Sequence, residues 1–119
     1  MSYPPEKLQL VDIDAERKFL WESAQNAVAR RAGSTLYRGD GVRQTLVVIL
    51  SGEEMGEHES PQEGFLHVIE GKIRLHGKDR SWDIAAGQLF PVPPEKHSVT
   101  ALEDTVLTLT VLRQSIMNP

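Results

Sequence analysis

The stretch Gly52-Glu53-Glu54-Met55-Gly56-Glu57-His58-Glu59-Ser60-Pro61-Gln62-Glu63-Gly64-Phe65-Leu66-His67-Val68-Ile69-Glu70-Gly71 decides how the chain is read. Its first part, Glu53 to Glu63, is polar and reads as a loop. Its second part, Phe65 to Ile69, reads as a strand that Glu70-Gly71 turns. Successive strand side chains point to opposite faces, so Leu66 and Val68 share one side and Phe65 and His67 the other. Downstream, Ile73 and Leu75 alternate with Lys72, Arg74 and His76, the pattern of a half-exposed strand. Gly77-Lys78-Asp79 turns the chain into Ser81-Trp82-Asp83-Ile84. Gly87 precedes Leu89-Phe90-Pro91-Val92-Pro93, His97 to Leu102 makes a further strand, and Glu103-Asp104 turns into Thr105 to Leu112, where Leu107, Leu109 and Val111 share a face.

Upstream, Thr45-Leu46-Val47-Val48-Ile49-Leu50 is a continuous apolar run, as expected of a strand buried on both faces. Thr35 to Arg38 is a shorter strand, separated from it by the turn Gly39-Asp40-Gly41. Before these the texture changes. Ala15 to Ala32 lacks Pro and Gly, Asp12 or Asp14 offers an N-cap, and Arg30-Arg31 followed by Gly33 reads as a helix stop. The spacing predicts one helix of about four to five turns. Residues 1 to 11, with Pro4-Pro5, read as an arm. The expected organisation is an N-terminal arm and helix over 1–33 and a β unit over 34–119, together one structural domain. About seven or eight short strands with closely spaced turns predict a sandwich or closed barrel.

The composition bounds the partners. The chain has 119 residues and a formal net charge of −4. It is long enough to bury one core without cross-links. It has no cysteine, which excludes disulfides, thiolate metal sites and cysteine nucleophiles. No cluster of four Lys or Arg exists to track a phosphate backbone, so nucleic acid is not an expected partner. No apolar run reaches membrane-spanning length and no signal peptide is visible, so the expected location is the cytoplasm and no membrane contact is expected.

Two phrases carry a family resemblance. Gly52, five residues, then His58 resembles the opening of the first cupin motif, and Leu66-His67-Val68-Ile69-Glu70-Gly71 stands where that motif ends its strand. Gly87, five residues, Pro93 and then His97 resembles the second motif. Arg43-Gln44-Thr45 and Glu57-His58-Glu59-Ser60-Pro61 resemble the central block of small stand-alone bacterial cupins of undefined function. The resemblance implies an all-β double-stranded β-helix, a jelly-roll barrel with an N-terminal α-helix, and a homodimer. It assigns no reaction.

The resemblance also implies where a metal would sit, and this chain departs from it there. Metal-binding cupins offer His-x-His, a Glu four residues on, and a His from the second motif. Here the first His is His58 and the last is His97, but Ser60 stands at the second His and Gly64 at the Glu, with Glu63 one residue out of register. His-x-His aims two imidazoles to one face of a strand, and imidazoles with a carboxylate suit one divalent transition metal. A serine hydroxyl is a poor substitute, and alternation from Leu66 turns Glu63 away unless a bulge intervenes. The incomplete set points to a metal-free site ahead of a metal site.

The expected ligand pocket therefore contains His58, Ser60, His97 and Gln44, with His58, His97 and Glu63 as the candidate metal ligands. Gln44 fits the pocket floor or a backbone bond at the strand start. His67 reads as outward-facing, His76 as solvated, the carboxylates Glu53, Glu54, Glu57 and Glu59 as a solvated loop, and Met55 as a pocket cap or an exposed loop residue. Three functions stay open. One is a small-molecule-binding cupin with a degenerate metal site. Another is a metal-dependent enzyme, dioxygenase- or isomerase-like, using His58 and His97. The last is a regulatory cupin that binds another protein through its helix and barrel edge.

Overall fold

Asp12 starts the ordered architecture by capping a helix. Its Oδ1 accepts from the Ala15 N–H at 3.1 Å, and Asp14 and Glu16 in the first turn suit the positive end of the helix dipole. The computed structural model describes residues 8–58 and 63–113. It contains the helix α1 (Ile13–Asn26) and nine strands among those residues: β1 (Arg31–Arg38), β2 (Val42–Ile49), β3 (Glu54–His58), β4 (Gly64–Glu70), β5 (Lys72–His76), β6 (Ser81–Ala85), β7 (Leu89–Pro91), β8 (His97–Ala101) and β9 (Thr105–Leu112). No described helix is long and apolar enough to cross a membrane.

The strands form two antiparallel sheets, ordered β1-β2-β9-β4-β7 and β3-β8-β5-β6. After β2 the chain crosses repeatedly between them, which is the weave of a jelly roll. Each crossing buries inward-facing side chains from both sheets in one core. Val47, Leu66, Val68 and Leu107 from the first sheet meet Ile73, Leu75, Ile84 and Val99 from the second. Trp82 and Phe90 pack on its edge with ring centroids 5.1 Å apart.

A second core lies on the outside of the five-stranded sheet. Leu20 and Ala24 of α1 pack on Leu46, Val48, Leu50 and Val106, with Trp21 alongside. This explains the unbroken apolar run in β2. Val47 faces the inter-sheet core while Leu46 and Val48 face the helix, so the second half of the strand, Leu46 to Ile49, is buried on both sides.

Two sequence expectations need correction. The helix ends at Asn26, not Ala32, and Ala27 is already extended. Arg30 takes the left-handed turn at φ 54, and Arg31 to Thr35, Gly33 included, pair with β2. The ladder to β2 outweighs the helix propensity of the segment. The polar stretch from Glu53 is likewise not all loop, because Glu54–His58 pairs with β8 as β3. Its polar side chains fit an edge strand, where one side of the ladder is open.

Candidate functional site

Strand alternation gathers one set of side chains into a cavity of about 210 Å³ between the sheets. Arg43 and Val47 come from β2, four residues apart and hence on one face. Leu107, Leu109 and Val111 come from β9 by the same rule, and Leu66 from β4. The second sheet supplies Met55, Leu75, Val99 and His97, and Val92 follows β7. The described wall is therefore apolar except for one imidazole and one guanidinium.

His97 opens β8 and is held from below. Its Nδ1 lies 2.9 Å from the Glu95 carbonyl oxygen, which can only accept, so Nδ1 carries the hydrogen and the neutral ring has its lone pair on Nε2. Glu95 is itself anchored to the β5–β6 turn. Its carboxylate accepts from the Lys78 N–H at 2.7 Å and from Arg80 Nη2 at 2.8 Å. The Arg80 hydrogen bond, with the Lys78 N–H next, holds the Glu95 carboxyl below its ordinary value. Arg80 also lies over the Trp82 ring at 4.9 Å. The imidazole is thus fixed through a chain of contacts that ends in the second sheet.

The backbone of His58 stands opposite His97 in the β3–β8 ladder, with a register shift between Met55 and His58. The fold therefore brings the two motif histidine positions together from strands far apart in sequence. Ser60 lies outside the described residues.

The other expected site residues sit elsewhere. Gln44 is not on the cavity wall. Its Nε2 donates to Thr110 Oγ1 at 3.1 Å, across the ladder on the sheet face that carries Leu46 and Val48. The pleat puts its neighbour Arg43 inside instead. Counting back by two from Val47 through Thr45 would have found Arg43 in the sequence. Glu63 is exposed and is not among the lining residues, while its carbonyl accepts from the Leu112 N–H at 2.8 Å. Gly64 presses against β9. A Cβ there would lie 2.8 Å from the Thr110 carbonyl oxygen and 2.9 Å from Val111 Cγ1. The position at which the family carries its carboxylate is closed by the neighbouring strand.

One outward residue differs from its solvated reading. His76 Nε2 is 2.9 Å from Thr100 Oγ1, whose hydroxyl donates to Glu54 Oε2 at 3.1 Å. Met55, placed between pocket and solvent by sequence, lines the cavity.

Among the described side chains on the wall, His97 is the single candidate metal ligand. No group of three or more His, Asp or Glu forms a metal-binding cluster among the described residues. The described wall offers one imidazole and no carboxylate, and its guanidinium would repel a cation.

Comparison with known proteins agrees with the architecture. The family described as Cupin domain matches residues 45–113, more than half of the chain. No curated protein matches it. Among solved structures, a conserved protein of unknown function from Streptococcus pyogenes is similar at 21% identity over 97% of each chain, with a TM-score of 0.68. A cupin-2 domain containing protein from Shewanella frigidimarina is similar at 16% identity over 87% of this chain and 95% of that one, with a TM-score of 0.68. A cupin superfamily protein from Desulfitobacterium hafniense is similar at 19% identity over 71% of this chain and 78% of that one, with a TM-score of 0.65. These likenesses concern fold alone. With the two motif phrases, the two-sheet topology and the family match in agreement, the chain belongs to the cupin domain family.

Proposed function

We propose that the chain is a small-molecule-binding cupin whose cavity works without a resident metal. The observation that carries this reading is the cavity wall itself: an apolar pocket between the sheets with two convergent polar groups, Arg43 and His97. Its volume of about 210 Å³ is below the roughly 300–1,000 Å³ of sites for drug-sized ligands, so the ligand is small. The test is thermal denaturation of the purified chain with a panel of small organic molecules, alongside elemental analysis. A ligand at 100 times its Kd adds about 2.7 kcal/mol to stability, read as a rise in Tm of roughly 10 °C for a domain of this size.

The metal-dependent reading is kept by one observation, the pairing of His58 and His97 in the β3–β8 ladder. Stoichiometric transition metal in the purified chain, lost on combining His58→Ala with His97→Ala, would decide for it and against the metal-free binder.

A further inference from the structure

We infer that the ligand is a small organic monocarboxylate with a short apolar tail, its carboxylate paired with Arg43. The inference rests on the reading of the cavity as a binding site and adds the chemical class of what it binds.

Arg43 has a role that packing does not explain. It lines the inter-sheet cavity, where nearly every other described neighbour on the wall is apolar. Its Nε is buried and has no hydrogen-bond partner. A buried donor left unpaired costs stability, more so on a charged group. A buried unpaired polar group in a folded protein calls for a functional explanation, and a bound species that completes it is one.

A second observation points the same way. Arg38 of β1 stands directly opposite Arg43 in the β1–β2 ladder. Like charges at directly opposed ladder positions destabilise a sheet. Neither arginine forms an ion pair with a described residue. Nearby, Arg113 closes the same end of the sheet, donating from its backbone N–H to the Gly41 carbonyl at 2.9 Å and from its side chain to the Gly39 carbonyl. In a chain of formal net charge −4, three arginine positions fall at one end of β1, β2 and β9. The acidic residues nearest in sequence and register, Asp40 and Glu63, are exposed.

The guanidinium selects the head group. Its planar fork matches a carboxylate through two parallel N–H···O bonds, and it keeps its charge at any working pH. The rest of the wall selects the tail: apart from His97 it is apolar, and Val47, Leu107, Leu109, Val111 and Val99 offer no partner to a polyol or a second charge. The volume limits that tail to a few carbons or one ring.

The test compares charged and neutral partners of one shape. Isovalerate with isovaleramide, and benzoate with benzamide, are titrated into the full chain by calorimetry, each supported by the shift in Tm. The expected result is binding of a carboxylate at least 10-fold tighter than its amide. In Arg43→Met the carboxylate should lose about 10- to 100-fold in affinity while the amide is unchanged, and Arg43→Lys should fall between. The wild-type comparison needs no variant to fold, and Arg43→Lys keeps the charge if Arg43→Met is insoluble. Amides that bind as tightly as acids, or a carboxylate held equally by Arg43→Met, would overturn the carboxylate inference and leave the cavity reading standing. Binding of none of the four probes at millimolar concentration would overturn both.

Discussion

Gly71 shows how a single position constrains the molecule. It turns β4 into β5 at φ +89, and a Cβ there would strike the Asp104 carbonyl oxygen and Thr105 Oγ1. Thr105 is fully buried and ties the turn together. Its hydroxyl accepts from the Lys72 N–H at 3.1 Å and lies 2.8 Å from the Glu103 carbonyl. Gly71→Ala is therefore expected to lower stability by about 2–4 kcal/mol, from the left-handed backbone and the collision together, as measured by urea denaturation. Gly64 makes a related point about the site. Gly64→Glu restores the family's carboxylate in sequence, yet its Cβ has no room beside Thr110 and Val111. The expected outcome is a loss of about 1–3 kcal/mol and no gain of bound metal, checked by denaturation and elemental analysis of the same sample.

Among the elements, the helix and the Glu95 loop matter most. Leu20 is 2% exposed against Leu46, Val48 and Val106, so Leu20→Ala should cost about 2–4 kcal/mol, seen as a lowered denaturation midpoint. Glu95 joins the β5–β6 turn to the start of β8, and its influence depends on pH. Its folded-state carboxyl lies below the ordinary 4.5 because of Arg80 and then the Lys78 N–H. The stability gained from the ionised form is fully present above the unfolded value and is lost as pH falls through the lower folded value. A pH series of Tm should show Glu95→Gln less stable than the parent at neutral pH, with the gap closing below pH 4. The Arg80 partner is largely exposed while the Glu95 side chain is 20% exposed, so solvent screens the pair and the gap is expected to be small. A gap that stays constant with pH would mean that packing, not charge, anchors the loop.

For the whole molecule, the cavity lies between two sheets, so a ligand there joins elements whose shared core is apolar. A bound molecule should raise the urea midpoint and leave the m-value unchanged, because folded and unfolded surfaces stay the same. A fall in m on binding would point to a loosened native state rather than a filled pocket.

Much of this architecture was legible in the sequence because strand alternation and turn residues are local. Leu107, Leu109 and Val111 share a face by counting, the Thr45–Leu50 run announces burial on both sides, and the two glycine–histidine phrases point to the jelly roll. Less local features were not. Alternation groups Arg43 with Val47 and sets Gln44 on the other face, but only the placement of β2 against β9 and α1 shows which of the two faces turns inward. The helix stopped early because β2 claimed Arg31 to Thr35, a competition between segments that no window of sequence contains. The pairing of His58 with His97, far apart in the sequence, likewise depends on how β3 and β8 are brought together. Periodicity determined which residues share a strand face. Packing decided which face became the cavity, because a strand has two sides and only its neighbours distinguish them.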